Sequence, residues 1–225
     1  MENLIFRKDK IVELCRGKTV LHLGFIEHSY YEKKIEIDDW LHKKIAQVAN
    51  RLVGLDYLEK EVNNIRKKYG YECYQADVMK LNEVQLNEKF DVIVCGELIG
   101  HIENPGLMLD GIKLFMHMDS ILIITTPNPW STERINLLKL GKTDEQWINQ
   151  ELVGWYSLGT LKHLLERKKY EIILSDYYYS QNSSDIYKNI QGIIGKLKLI
   201  KRIIKKKHTK KHLQDGLFFV CKIKS

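Results

Sequence analysis

The feature that most constrains the fold is a regular alternation of short apolar runs with segments of helical spacing. The apolar runs predict strands at 19–24, 51–56, 71–75, 90–95, 120–126, 170–179 and 216–223. Apolar residues at helical spacing predict helices at 4–16, 39–50, 58–69, 107–116 and 158–167. Strands and helices that alternate at this pace predict an α/β fold: a doubly wound, parallel sheet with helices on both faces.

The length and composition are those of one globular domain. The chain has 225 residues, which is enough for a domain with an extended core. Apolar residues make up 44% and charged residues 29%, which excludes a disordered or fibrous chain. We therefore predict a single domain over 1–225, with a basic amphipathic insertion at about 183–212 between the last two strands.

The sequence also bears on location. No apolar run reaches the roughly 18–20 residues that cross a bilayer, and the N-terminal segment lacks the apolar centre of a signal peptide. The four cysteines form no Cys-x-x-Cys pair and at least three lie in apolar runs, so we predict buried free thiols and no metal site. The expected location is cytoplasmic, with peripheral contact at the inner face of the membrane through the basic insertion.

The positive charge is concentrated in one segment. Nine Lys and Arg residues lie between Lys196 and Lys211 with no acid among them, and without these nine the net charge of +7 becomes −2. The same region carries an apolar stripe at helical spacing: Ile190, Ile193, Ile194, Leu197, Ile200 and Ile204. A basic amphipathic helix at 190–212 suits an anionic membrane surface. The alternatives are a helix packed on the domain or a nucleic-acid contact. The apolar stripe and the lack of interleaved aromatic residues favour a membrane over nucleic acid.

Candidate ligand-binding residues follow the strands. In a doubly wound sheet, ligands bind beyond the carboxyl ends of the strands, near the point where the strand order reverses. Four predicted strands end in a glycine, an acid or another polar group. The residues at these four ends are Gly24, Glu27 and His28, then Asp56 and Tyr57, then Asp77 and Val78, and finally Gly96, Glu97 and His101.

Asp56 and Asp77 each have two interpretations. An acid that ends the second strand can accept two hydrogen bonds from a ribose diol, or it can cap the helix that follows. Together with the other strand ends, the ribose interpretation of Asp56 is favoured. The Asp77 carboxylate can accept from the exocyclic amine of an adenine, or Asp77 can be a cap or turn residue.

Four stretches resemble the successive motifs of class I S-adenosylmethionine-dependent methyltransferases. They are VLHLG at 20–24, VGLD at 53–56, QADV at 75–78 and FDVIVCGELIGHIENPGLML at 90–109. The resemblance is greatest to the branch that carries a GExxEHxxNP stretch after strand four. The later stretch at 154–172 is similar to that branch's next helix and strand.

The resemblance implies a Rossmann-like, seven-stranded, mostly parallel sheet with an antiparallel last strand. It also implies methyl transfer from S-adenosylmethionine, the expected cofactor, to a nucleophile. The same resemblance assigns cofactor-binding roles to strand-end residues: Gly24 at the methionine part, Asp56 at the ribose, Tyr57, Asp77 and Val78 at the adenine, and Gly96 and Glu97 on the floor near the methionine part.

The first motif departs from the family pattern. The family has acid-x-Gly-x-Gly-x-Gly, and this chain keeps Gly24 alone of the three glycines. Glu27 and His28 either replace the lost contacts by side-chain bonds to the amino-acid moiety or mark a site that no longer binds cofactor. We expect residues 29–38, which lengthen this region, to form a loop near the cofactor mouth. The missing glycines also argue against NAD, because a pyrophosphate needs that glycine-rich turn.

Methyl transfer mainly requires that the nucleophile, the methyl group and the sulfur are aligned, but a hydroxyl acceptor benefits from a base. His101, a short turn past strand four, is the candidate catalytic base; the alternative is a structural histidine. The family pattern has Glu where this chain has Gly100. Trp130, Trp155 and Tyr156 are candidate substrate residues that stack on a sugar or aromatic ring, with core packing as the alternative.

The sequence thus predicts an S-adenosylmethionine-dependent methyltransferase that O-methylates a sugar, a glycan or a small metabolite. One alternative is an RNA methyltransferase that docks through the basic helix. A second alternative is a methyltransferase-like binding module without catalysis, because two of the three glycines are missing. The expected partners are a small-molecule or glycan acceptor and an anionic membrane surface.

Overall fold

A computed structural model describes residues 4–27, 31–180 and 210–224. Its seven strands form one sheet in the order β3-β2-β1-β4-β5-β7-β6. The strands are β1 Thr19–Leu23, β2 Arg51–Asp56, β3 Cys73–Gln75, β4 Phe90–Gly96, β5 Met116–Pro127, β6 Tyr170–Tyr178 and β7 Gly216–Ile223. The helices are α1 Arg7–Cys15, α2 Tyr31–Glu36, α3 Leu41–Ala46, α4 Glu59–Tyr69, α5 Pro105–Ile112, α6 Thr132–Lys139 and α7 Leu158–Arg167.

The strand directions confirm the predicted architecture. The pairs β1–β2, β1–β4, β2–β3 and β4–β5 are parallel. Strand β7 runs antiparallel to both β5 and β6. The sheet is therefore mostly parallel with an antiparallel last strand, and the strand order reverses between β1 and β4.

Apolar residues fill both faces of the central strands because successive side chains point to opposite sides of a sheet. Leu21 and Ile93 pack in one core cluster, together with residues of α5 and α7. Val20 and Val92 pack in a second cluster on the other face, with residues of α1 and α3. All four cysteines are buried and free, which confirms the prediction for them.

Several predicted bounds differ from the structure, and two of these differences have a clear physical cause. The predicted loop at 29–38 contains the short helix α2, and its Tyr31 is buried against Trp40. The helix predicted at 107–116 starts earlier, because Pro105 suits the first helical position and the Asn104 side chain caps it. It also ends earlier, because Met116 pairs with Phe90 in the sheet.

Two observations concern the membrane. Among the described helices, none combines the length and the apolar character that crossing a bilayer requires. Most of the basic insertion at 183–212 lies outside the described residues, which resume at Lys210. The membrane contact predicted for it is therefore still a prediction.

Candidate active site at the carboxyl edge of the sheet

Backbone hydrogen bonds join the strand ends. The Gly24 nitrogen donates to the Leu55 oxygen at 2.8 Å, which joins the end of β1 to the end of β2. The Ala76 nitrogen donates to the Asp56 oxygen, also at 2.8 Å, and joins the end of β3 to β2. β4 pairs in parallel with β1 along Val20–Leu23, and Gly96 is the last residue of β4. Gly96 therefore lies at the same edge of the sheet as the end of β1. The predicted strand ends therefore converge on one edge, at the reversal of strand order.

Asp56 lies almost buried at the end of β2, with 5% of its surface exposed. Its Oδ2 accepts from the Ile26 nitrogen at 3.1 Å, and its Oδ1 accepts from the Leu58 nitrogen at 3.3 Å. Burial raises the pKa of Asp56, and the backbone donors oppose that rise. A carboxylate has about four lone-pair sites, more than these backbone donors use, so Asp56 both holds the β1 loop and can accept from a diol.

Side-chain packing holds the loop after β1 in place of the missing glycines. Phe25 and Ile26 are fully buried in a cluster with Trp40. The Trp40 indole nitrogen donates to the Phe25 carbonyl at 2.9 Å. The retained Gly24 has φ +65°, a conformation that favours glycine, and a Cβ there would lie 3.0 Å from Leu98 Cδ1.

Glu27 is engaged by its own chain. Its Oε1 accepts from the Leu41 nitrogen at 3.1 Å, and its Oε2 pairs with Lys34. Burial alone raises the pKa of Glu27, but Lys34 and Arg7 outweigh it and the pKa is lowered. Glu27 therefore fixes the entry to α3, and His28 lies outside the described residues.

A charged network that the sequence did not reveal surrounds Glu97. The Glu97 backbone has φ +58°, and its nitrogen donates to the Thr125 carbonyl at 2.9 Å. Glu97 Oε1 accepts from the Tyr178 hydroxyl at 2.7 Å. Arg7, from α1, lies partly buried beside them. Desolvation lowers its pKa, but Glu97, Tyr178 and Glu27 together raise it. Arg7 and Tyr178 lie far from β4 in sequence, so no local motif marked them.

On the predicted adenine side, the candidates differ in exposure. Tyr57 is 60% exposed beside Asp56, so its ring is accessible to a ligand. Asp77 Oδ1 accepts from the Met79 nitrogen at 2.9 Å and caps the 3-10 helix Val78–Glu83. Val78 is buried. Asp77 therefore acts as a helix cap through Oδ1, as the alternative interpretation predicted.

His101 has a defined ring orientation. Its Nδ1 lies 3.1 Å from the Glu151 carbonyl oxygen. A carbonyl oxygen can only accept, so the hydrogen-bond network places the proton on Nδ1 and leaves the Nε2 lone pair free in the neutral ring. This is the tautomer that a general base requires.

Gly100 has a structural reason to replace the family's glutamate. A Cβ on Gly100 would lie 2.6 Å from Leu152 Cδ1 and 3.0 Å from the Gly154 carbonyl oxygen. The Gly100 carbonyl accepts from the nitrogens of Val153 and Gly154 at 2.9 and 3.0 Å. The segment 151–154 therefore packs on the turn that carries His101, and the absent side chain makes room for it.

The three candidate substrate residues occupy different environments. Trp130 is 57% exposed, and Tyr156 is partly buried against the core. Trp155 joins a cluster that the sequence did not predict: its ring lies 6.1 Å from that of Trp147 and 4.9 Å from the guanidinium carbon of Arg134. The structure thus brings Trp155, but not Trp130, into that charged aromatic cluster.

Comparisons with known proteins agree with this geometry. A family model described as a methyltransferase domain matches residues 41–156, just over half of the chain. A ubiquinone biosynthesis O-methyltransferase of Glaesserella parasuis is 35% identical over 60 residues, which are 25% of each protein. A probable S-adenosylmethionine-dependent methyltransferase of Mycolicibacterium smegmatis is 27% identical over 135 residues, 56% of this chain and 47% of the relative. The chain thus spans less than half the length of these relatives.

A solved structure shows the same fold. The S-adenosylmethionine-dependent methyltransferase of Archaeoglobus fulgidus superposes with a TM-score of 0.60 at 15% identity, covering 96% of this chain and 91% of that one. The sheet order and this structural similarity define the class I, Rossmann-like methyltransferase fold. The family match carries this further: the chain belongs to the methyltransferase domain family, whose class I members use S-adenosylmethionine as cofactor.

The residues at this edge fit S-adenosylmethionine. Asp56 offers free lone pairs where a ribose diol would donate, and the exposed Tyr57 ring lies beside it. At the β4 end, Glu97 and Arg7 provide opposite charges, which match the zwitterionic amino-acid end of the cofactor. Side-chain packing around Ile26 holds the loop in place of the missing glycines. The hydrogen-bonding and charged groups of Asp56, Glu97 and Arg7 are still present at this edge.

Proposed function

We propose that this protein transfers the methyl group of S-adenosylmethionine to a hydroxyl of a small-molecule acceptor, with His101 as the general base. The observation that carries the proposal is the 3.1 Å contact between His101 Nδ1 and the Glu151 carbonyl. In the tautomer that this contact favours, Nε2 carries the basic lone pair, which supports His101 as the proton acceptor. The relatives named ubiquinone biosynthesis O-methyltransferases support an oxygen acceptor.

Each residue of the site has a separate role in this proposal. When bound, the cofactor supplies an activated methyl group. Asp56 accepts from the ribose hydroxyls, and Glu97 with Arg7 orients the amino-acid end. His101 Nε2 would take the proton of the acceptor hydroxyl, and the acceptor oxygen would receive the methyl group that the bound cofactor supplies, so that the products are a methyl ether and S-adenosylhomocysteine.

Cofactor binding is tested first. Calorimetry with S-adenosylmethionine and S-adenosylhomocysteine on the full chain should give saturable binding of both, and Asp56→Asn should weaken both. Failure of the native protein to bind either compound would favour a methyltransferase-like module without catalysis.

The acceptor is tested by mass shift. A panel of catechols, sugar nucleotides, lipid-linked glycans and RNA should yield a methylated product in one of the hydroxyl-bearing small-molecule or glycan classes. These classes include the sugar and glycan acceptors predicted from the sequence. Methylation of RNA alone, with steep salt dependence, would overturn the proposal in favour of the RNA alternative.

The base is tested by substitution. His101→Gln should lower kcat by about 10²- to 10⁴-fold, the usual contribution of a general base, with cofactor affinity unchanged. It should also remove the acid limb of the pH–rate profile. His163→Gln, an exposed histidine on α7, is the matched control and should leave kcat unchanged. An unaltered pH profile in His101→Gln would exclude His101 as the base.

A further inference from the structure

We propose that Arg134, Trp147 and Trp155 form an acceptor subsite for a planar anionic group, such as the carboxylate of an aromatic acid. This inference rests on the proposed function, because it names the chemical class of the acceptor. We call these three residues the Arg134 subsite. Their arrangement has three parts: a fixed guanidinium, two indole rings against it, and two buried donors for which the described residues supply no acceptor.

Hydrogen bonds to residues just before α6 fix the Arg134 guanidinium. Arg134 lies in α6, and its Nη1 donates to the Asn128 carbonyl at 2.9 Å and to Ser131 Oγ at 3.2 Å. Asn128 is itself held, because its Nδ2 donates to the His212 and Gln214 carbonyls, both at 2.9 Å. A cation held this firmly keeps one orientation, as recognition of a planar anion requires.

Two indoles pack against this cation. The Arg134 guanidinium carbon lies 4.9 Å from the centre of the Trp155 ring and 5.9 Å from that of Trp147. The two indole planes are inclined at 53°. A guanidinium beside aromatic faces forms cation–π contacts, and the same faces stack on the ring of an aromatic ligand.

The same cluster holds two unsatisfied donors. Arg134 Nε and Trp147 Nε1 are buried and have no hydrogen-bond partner within the described part of the chain. Burial lowers the pKa of Arg134, and the carboxylates of Glu133 and Glu97 oppose this only at a distance. A buried donor without an acceptor is costly, and one carboxylate carries enough lone pairs to satisfy both. An anionic ligand therefore supplies what this cluster lacks.

The subsite lies beside the proposed base. Trp155 follows Gly154, whose nitrogen donates to the Gly100 carbonyl at 3.0 Å, and Gly100 precedes His101. Arg134 Nη1 donates to the Asn128 carbonyl just past the end of β5, and the Thr125 carbonyl of β5 accepts from the Glu97 nitrogen, so Arg134 lies at the same edge of the sheet as Glu97. An aromatic acid held at Arg134 would therefore place its ring substituents towards His101.

A direct binding test uses benzoate and its neutral isostere benzamide. Indole N–H resonances of the ¹⁵N-labelled full chain are followed by NMR during titration with each compound, with inorganic phosphate as a non-aromatic anion. Benzoate should shift the Trp147 and Trp155 signals and leave the core Trp40 signal in place. Benzoate should bind at least about tenfold more tightly than benzamide, as expected for a charge-assisted contact.

Variants separate recognition from structure. Arg134→Gln should abolish the preference for benzoate, and Arg134→Lys should retain only part of it, because lysine lacks the planar fork. Lys139→Gln removes an exposed positive charge elsewhere on α6 and should keep the preference. Equal binding of benzoate and benzamide to the native chain, or the same loss in Lys139→Gln as in Arg134→Gln, would overturn the subsite. If benzoate binding fails while S-adenosylmethionine still binds and His101-dependent methylation persists, only the subsite is rejected.

Discussion

The Tyr178 hydroxyl donates a 2.7 Å hydrogen bond to Glu97 Oε1, which joins the end of β6 to the end of β4. Strands β5 and β7 lie between these two strands in the sheet. The Tyr178 ring spans the gap because its partner in β7 is Gly216, where a Cβ would overlap the ring. A glycine in an antiparallel strand thus permits a side-chain contact at the proposed cofactor floor.

Tyr178→Phe should therefore weaken both the fold and the site. Loss of the hydroxyl removes a buried hydrogen bond to a carboxylate and should lower the free energy of unfolding by about 1–3 kcal/mol. It should also weaken S-adenosylmethionine binding, because Glu97 loses the donor that orients it. Urea unfolding and calorimetry measure the two effects. Tyr177→Phe is the neighbouring control, and equal losses in both variants would show that the Glu97 contact is not the cause.

Asp56→Asn should raise the Kd for S-adenosylmethionine by about tenfold or more, since charge-assisted bonds to the ribose would be lost. The amide can still accept from the Ile26 nitrogen through its oxygen, so the loop after β1 should persist. Asp110→Asn, at an exposed acid of α5, is the control. An unchanged Kd in Asp56→Asn would mean that this carboxylate acts only as a loop brace.

Gly100→Ala should detach the segment that orients His101. The added methyl group overlaps Leu152 and the Gly154 carbonyl, and overpacking of this kind costs about 1–3 kcal/mol. kcat should fall with it, because the Glu151 carbonyl would no longer hold the His101 ring. Thermal unfolding and steady-state kinetics measure both. Gly159→Ala in α7, where a Cβ meets only Ser157 Oγ at 4.0 Å, should be neutral or stabilising.

The fold could be predicted from the sequence because its determinants are local. Runs such as Phe90–Gly96 carry the strand signal within a few residues, and the predicted bounds of β2 and β7 match the structure. The bounds of helices were less predictable, since pairing of Met116 with Phe90 competes with helical spacing there. The helix at Tyr31–Glu36 depends on packing against Trp40, which no local pattern encodes.

The site could be predicted in part for the same reason. Strand-end residues such as Asp56 and Gly96 follow from topology, because parallel strands place their carboxyl ends at one edge. Arg7, Tyr178 and Arg134 reach that edge from distant elements, and their spacing carries no motif. The reason that position 100 is a glycine and not a glutamate is visible only in the structure, where a side chain on Gly100 would overlap Leu152.

A buried histidine pair gives the protein a defined acid sensitivity. His22 of β1 and His42 of α3 are buried, with 3.2 Å between their Nδ1 atoms. Burial lowers the pKa of His22 to about 4 and that of His42 well below its usual value, with Glu27 and Arg7 acting more weakly on His22. Both rings are thus neutral in the folded state, while the unfolded chain takes up protons below about pH 6.5.

The contribution of this pair to the free energy of unfolding should accordingly be constant above about pH 7 and fall as the pH drops from 6.5 towards 4, because the unfolded state binds more protons. Each neutral histidine contributes a slope of up to about 1.4 kcal/mol per pH unit in that window. Urea unfolding between pH 7.5 and 5 measures it, at pH values where the carboxylates contribute least. His42→Phe keeps an aromatic ring and should remove about half of the slope, whereas the exposed His163→Gln should leave it unchanged. An identical slope in His42→Phe would show that the pair is not the source of the acid sensitivity.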